Sequence, residues 1–467
     1  MKISLILLLT AFTLYATYAQ DARTLYNTNC AGCHGPGLLG TTSGPALIRT
    51  KWNDSGRDSI AHAIRKGVPG TTMVAWEKAL NDNQIKALTD FIVTAQHIPT
   101  ATNTEETTLY KKTSDYTLKI EKLVTEGLET PWGIEFINKD SALITEKAGG
   151  LRWLVKGKLA PEPISGLPTV YLGTSTAGLM DIALDPDYRN NGWVYLALSK
   201  SNGDSQDKKA LALTKIVRGK VKNNRWTEEQ TLFEVADELK VRNGNRWGCR
   251  FLFDKAGHLY FTIGDMGLDM DSQDPGKATG KVFRINPDGS IPKDNPFVNQ
   301  TGAIAALYSL GNRNVQGMAQ HPATGVIWAT EHGPKGGDEL NILKKGANYG
   351  WPVITYGIDY SGKKVSEITE KEGMEQPVTY WTPSIAVSAI DFSTSPLFPK
   401  WKNNLLVGAL AFQELRLLVL DGERVVEQEI LFKSMGRVRD IKFGPDGALY
   451  VLTNGPDGVL RITPENP

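Results

Sequence analysis

RFLFDKAGHLYFTIG, residues 250–264, is an apolar run, a polar turn containing Gly257, and a second run rich in aromatic and β-branched side chains. That pattern predicts two antiparallel strands joined by a short turn. The phrase recurs as GIEFINKDSALIT (133–145), DIALDPDYRNNGWVYLAL (181–198), GMAQHPATGVIWATE (317–331), AIDFSTSPLFPKWKNNLLVGA (389–409) and DIKFGPDGALYVLTN (440–454). A unit of this size cannot bury a core alone. Six of them at comparable spacing fit a closed radial array, which also leaves few free strand edges. The sequence therefore predicts an all-β six-bladed propeller over 116–467; a pair of β-sandwiches is the alternative, and it does not account for six units.

The 467 residues are long for one domain and comfortable for two. Apolar residues make up 41% and charged residues 22%, and the net charge is +1. Nothing global therefore points to nucleic acid or an anionic membrane, and any anion site must be built locally. Lys2, the mostly apolar stretch Ile3 to Tyr15 and the small residues before Ala19 read as a secretory signal peptide over 1–19. An uncleaved anchor is the other reading, but the run is short for a membrane span. The mature protein is expected to be periplasmic or secreted, with no transmembrane segment.

Three cysteines are too few for a disulfide scaffold. Cys30-Ala31-Gly32-Cys33-His34 is the C-x-x-C-H attachment motif of haem c: two thiols bind the porphyrin covalently and His34 ligates the iron. A redox dithiol does not need the histidine, and a zinc site lacks its second cysteine pair. Cys249 is left over and reads as buried and inert. Residues 21–29 and 60–67 read as helices, and Ile85, Leu88, Phe91 and Ile92 lie on one face of a third, capped by Asn81 or Asp82. Met73, on a loop between helical segments, is placed to bring its thioether to the iron as second axial ligand. The order CAGCHG, Met73, closing helix resembles small class I cytochromes c, so 20–97 is expected to be a small all-α cytochrome c domain. The polar stretch 98–115 reads as an exposed linker.

Within the propeller, G280KVFRINPDGSIPKDNPF297, L310GNRNVQG317, E331HGPKGGDELN341, N348YGWP352 and R437VRD440 occur in that order. They resemble the soluble aldose and glucose dehydrogenases that use pyrroloquinoline quinone (PQQ), the glucose/sorbosone dehydrogenase family, from about Pro131 to Thr463. The resemblance implies an oxidoreductase that oxidises a sugar or related alcohol. It places Arg313 by the reacting oxygens, and Asn314, Arg437 and Arg439 against PQQ. It also places the carbonyls of Gly333 and Pro334 on a calcium ion, and Glu339 and Tyr349 at a second, structural calcium. Guanidinium groups suit a tricarboxylate because they offer paired planar donors, and calcium accepts carbonyl oxygens.

Three positions depart from that family. Arg246 stands where a histidine takes the substrate proton, and an arginine keeps its proton near neutral pH. Thr176 replaces a glutamine, and Ala411 replaces a cofactor-binding lysine, a charge that Arg246 is expected to restore. His332 and Asp265 are then the candidate bases. Asp269, Asp271 and Asp274 lack EF-hand spacing and read as a solvated loop; His258 and His321 read as structural turn residues. The expected whole is a quinohaemoprotein passing electrons from sugar through PQQ to haem c and on to an external acceptor. The alternative is a catalytically altered propeller that binds carbohydrate or a partner, with the haem as relay.

Overall fold

The computed structural model describes residues 22–35, 38, 47, 54–68, 73–95, 107–174 and 176–465. The signal-peptide reading of 1–19 and most of the linker reading lie outside them. The chain divides into two compact units, Met1–Glu106 and Thr107–Pro467.

In the first unit the regular elements among the described residues are helices: 22–29, Ala31–His34, Asp54–Lys66 and Asp82–Ala95. Tyr26, Ile60, Ile64, Ile85, Leu88 and Ile92 form the core. The closing helix is capped by Asn81: its Oδ1 accepts from Gln84 N at 3.0 Å, while Gln84 Oε1 accepts from Asn81 N at 3.0 Å. This reciprocal pair satisfies two backbone donors that a helix start otherwise leaves open.

The second unit is the six-bladed propeller. Five blades are four-stranded antiparallel sheets, and the sixth has five strands. The six repeated phrases supply the first two strands of every blade. The first strands are Pro131–Asn138, Leu179–Leu184, Phe251–Phe253, Val315–Gln320, Val387–Phe392 and Arg437–Phe443. Each first strand packs against the next, and the sixth returns to the first, so they surround the central axis. The ring is closed by chain ends: Thr117–Val124 pairs with Gly458–Pro464.

One correction falls at the boundary. Thr108–Lys112, read as linker, pairs with Thr117–Val124 as the outermost strand of the closing blade. Only Leu109 of that strand packs on the core, while Tyr110, Lys111 and Lys112 are exposed, so it carries no apolar period.

Arg250 ties the axis together. Its Nη1 donates to Asp181 at 3.0 Å and Asp440 at 2.8 Å, and its Nε donates to Gln316 O at 2.9 Å. The two carboxylates in turn accept from Phe251 N and Ile134 N. Five blades are thereby joined through one buried guanidinium. Gly133 makes room for it, since a Cβ there would lie 2.7 Å from Asp181 Oδ1.

Candidate active site

In a meandering four-stranded blade, the segment entering strand one and the turn between strands two and three share one end of the sheet. Arg246, Arg313, Asn314 and Arg437 lie in or beside entering segments. Lys147, Asp265, His332, Gly333, Pro334 and Ala411 lie in second-to-third turns. The topology thus gathers residues from five of the six blades around one mouth of the axial channel.

Arg313 is buried. Its Nη1 donates to Gly333 O at 2.6 Å and His332 O at 3.2 Å, and its guanidinium faces the Trp351 ring at 5.2 Å. Its backbone N donates to Glu331 Oε2 at 2.7 Å. Burial, then Arg246 nearby, lowers its pKa, and its Nε is buried with no hydrogen-bond partner among the described residues. Arg439 is also buried, stacked over Trp132 at 4.1 Å, and among the described residues its guanidinium is hydrogen-bonded to amides, Asn454 Oδ1 at 3.2 Å and Gln316 Oε1 at 3.3 Å. Burial and the neighbouring Arg437 and Arg250 push it down to about 9. Burial and Arg439 likewise lower the half-buried Lys147. Trp132 Nε1 and Thr176 Oγ1 are buried donors with no partner among the described residues.

Asn314 accepts from Gly248 N at 3.1 Å and Gln316 Nε2 at 3.2 Å, and its Nδ2 faces His332 Nδ1 at 3.5 Å. Since a carbonyl only accepts, His332 Nε2 carries the hydrogen donated to Val387 O at 2.6 Å. Burial first, then Arg313, Arg439 and Arg437, pushes this imidazole down to about 3. It is a poor base, contrary to its candidacy. Asp265, the other candidate, is fully buried and saturated, accepting from Arg246 Nε at 2.6 Å, Gly267 N at 3.0 Å and Trp351 Nε1 at 2.8 Å. Gly264 is required for this closeness, because a Cβ there would lie 1.7 Å from Arg246 O.

Arg246 is not the loose cation expected of it from the sequence. It is clamped by Asp265 and, through Nη2, by Asp269 Oδ1 at 3.0 Å. The added positive charge beside Arg439 comes from Lys147. The reading of Asp269 as part of a solvated loop is also corrected: Asp269–Gln273 is a short 3-10 helix anchored by that ion pair. His258 and His321 hold turns through Asp254 and the amides of Ala323 and Thr324. Cys249 is buried, which raises its thiol pKa.

Beneath Arg313 lies a cavity of about 10 Å³ lined in part by Glu331, Glu339, Tyr349 and Thr355, room for one water-sized species. Glu339 is pushed up to about 8 by burial and by Glu331 and Asp338. Asn341 Nδ2 bridges Glu331 at 3.1 Å and Glu339 at 3.0 Å, while its Oδ1 has no partner among the described residues. The Tyr349 hydroxyl is engaged elsewhere, donating to Ile342 O at 2.6 Å and accepting from Lys344 N at 2.8 Å, which leaves its backbone carbonyl. Sequence reading passed over Glu331 although the motif begins with it. It also passed over Trp132, Trp351 and Lys147, whose roles depend on neighbours from other blades.

In the first unit His34, at the end of Ala31–His34, is buried; Cys30 is half-buried and Cys33 exposed. Met73 and Cys30 both pack against the same helical core.

Residues 128–462 match the Glucose / Sorbosone dehydrogenase family, and residues 18–92 match the cbb3-type cytochrome c oxidase subunit III family. The aldose sugar dehydrogenase YliI of Escherichia coli is 38% identical over 352 residues, 74% of this chain and 93% of the relative. The apo crystal structure of the soluble E. coli aldose sugar dehydrogenase aligns with TM-score 0.68 at 36% identity, covering 75% of this chain and all of that one. The PQQ-bound aldose sugar dehydrogenase of Streptomyces coelicolor aligns with TM-score 0.57 at 25% identity, covering 74% and 98%. With its repeated blades and its ring of motif residues matched over most of its length, the chain belongs to the glucose/sorbosone dehydrogenase family and carries a cytochrome c domain in front of the propeller.

Proposed function

We propose that this chain is an exported quinohaemoprotein that oxidises an aldose or related alcohol with PQQ, passes the electrons to haem c and delivers them to an external acceptor. The observation that carries the reading is the unbalanced mouth of the channel. Among the described residues no carboxylate is hydrogen-bonded to the buried Arg439, its pKa is depressed by burial and then by Arg437 and Arg250, and Trp132 Nε1, Thr176 Oγ1 and Arg313 Nε lack acceptors. A buried cation cluster and orphaned donors are costly alone and fit a planar ligand bearing several carboxylates.

In this reading Arg437 and Arg439 hold carboxylates, with Lys147 adding charge. Asn314 and Arg313 line the reacting side, and Trp132 supports the Arg439 guanidinium from behind. Bound PQQ supplies a two-electron acceptor that can be emptied one electron at a time into a haem. The residues supply position, charge balance and exclusion of water. Cys30 and Cys33 fit covalent haem attachment, with His34 and Met73 as iron ligands. The relatives' names, aldose sugar dehydrogenases, support the substrate class.

Calcium fits the two places unequally. Gly333 O already accepts from Arg313, so an ion held by the Gly333 and Pro334 carbonyls would share that oxygen with a guanidinium. The Glu331–Glu339 cavity, with its crowded carboxylates, is the better match. Calcium added to the quinone-free protein is expected to raise its melting temperature and a chelator to reverse this. The Glu339→Gln variant should lose most of the gain; an equal gain in that variant contradicts the assignment.

The function is tested by adding PQQ and calcium to the full-length protein, then a panel of aldoses, while following the haem absorbance. Reduction that depends on quinone and sugar is expected. A quinone-loaded protein whose haem stays oxidised with every aldose and alcohol overturns the reading. A second reading, a propeller that binds without turnover, rests on taking Arg246, clamped by two carboxylates, as the residue at the family's base position.

A further inference from the structure

The clamp on Arg246 narrows which group can take a proton at this mouth. Arginine stays charged. Asp265 is fully buried, with both oxygens occupied by three donors. Both ring nitrogens of His332 face partners, Val387 O and Asn314 Nδ2. Asp269 differs from all three. Its Oδ1 meets Arg246 Nη2 at 3.0 Å, and 46% of its side chain is exposed. It lies near enough to Arg313 for the two charges to interact.

Resting on the dehydrogenase reading, we propose that Asp269 is the catalytic proton acceptor of this chain and that Arg246 is its positioning residue. The sugar C1 hydroxyl gives its proton to an Asp269 carboxylate oxygen while the C1–H bond breaks with its electron pair, leaving a C=O bond at C1. That hydrogen would leave with its pair as hydride, for which bound quinone would be the two-electron acceptor. Asp269 then returns the proton to water, which its exposure permits and the buried Asp265 does not. Arg246 spans the two carboxylates, Nε to Asp265 and Nη2 to Asp269, and so fixes Asp269 at the mouth. The charged groups facing Asp269 are Arg246 and Asp265 on its own blade and Arg313 on the adjacent blade; Asp359 and Tyr360 in turn face Arg313. Burial and Asp265 raise the Asp269 pKa and Arg246 opposes them, which brings the group closer to working pH than an ordinary aspartate.

The experiment compares wild type, Asp269→Asn, Asp269→Glu and Arg246→Gln as full-length, quinone-loaded proteins. Asp269→Asn is expected to lower kcat by about 10²–10⁴-fold, with KM, quinone loading and haem spectrum kept, and to remove the acidic limb of the kcat/KM profile. Asp269→Glu should recover part of the rate. Arg246→Gln should move the acidic limb to higher pH, a shift that a merely structural role would not give. Independently of turnover, infrared difference titration of the quinone-free protein should show a carboxyl band titrating above the ordinary aspartate range, absent from Asp269→Asn. If Asp269→Asn does not fold, that band in wild type and the limb shift in Arg246→Gln decide the matter. An active wild type with an unchanged Asp269→Asn profile overturns this assignment alone. A quinone-loaded wild type that oxidises no sugar overturns it together with the dehydrogenase reading.

Discussion

Arg439→Met is expected to weaken PQQ binding by at least about 30-fold, the lower end of the 2–5 kcal/mol scale for losing one partner of a buried charge pair. The same variant should leave the quinone-free protein as stable as wild type or more so. The opposite signs follow from one circumstance. Arg439 is a buried cation held by two amides and an aromatic face, with Arg437 and Arg250 as neighbours, and its pKa has fallen to about 9. Below that pH the charged form is present in both folded and unfolded chains, so the strain on the folded state is fully present at neutral pH and fades only as pH rises past about 9. Methionine keeps much of the apolar stem and removes the charge. Calorimetry with PQQ and thermal melts without it check both halves. Undiminished affinity contradicts the placement of a carboxylate at Arg439.

Arg250→Met should do the reverse, destabilising the propeller by about 3–5 kcal/mol, as expected when one member of a buried ion cluster is removed. Asp181 and Asp440 would face each other in the axis without their hydrogen-bonded counter-charge, and the blades that supply Asp181, Gln316 and Asp440 would lose their common donor. Burial already pushes Asp181 up to about 6 with Arg250 in place, and without the arginine it must rise further. A carboxyl with a raised folded pKa favours the folded state at low pH and loses that advantage as pH rises through the folded value. The deficit of Arg250→Met should therefore be larger at pH 8 than at pH 5 in urea unfolding. Equal midpoints for variant and wild type would remove the axial cluster from the account of stability.

These two arginines also show what the sequence made legible. Strand pairs in every blade could be read locally, because each alternates around a turn within about fifteen residues and signals itself by period and punctuation. Arg250 opens one of those phrases without any mark of its function, since its partners lie 69 and 190 residues away. Thr108–Lys112 escaped for a different reason: an outermost strand buries one side chain and otherwise looks like polar linker. At the mouth, the arginines and Asn314 were found because they sit inside long motif phrases. Asp269 was read as a solvated acid because its partner Arg246 stands 23 residues earlier. Lys147 was missed because a single lysine in a hairpin turn carries no pattern until the ring closes beside Arg439.

The most direct test is an equilibrium titration of PQQ into the full-length protein with calcium present, followed by quenching of tryptophan fluorescence, with Trp132 and Trp351 at the mouth as reporters. A saturable one-to-one curve that Arg439→Met abolishes is the expected result. A wild-type protein whose fluorescence shows no saturable change, while its haem spectrum and melting curve report an intact fold, would contradict the claim that the cationic mouth is built for this quinone.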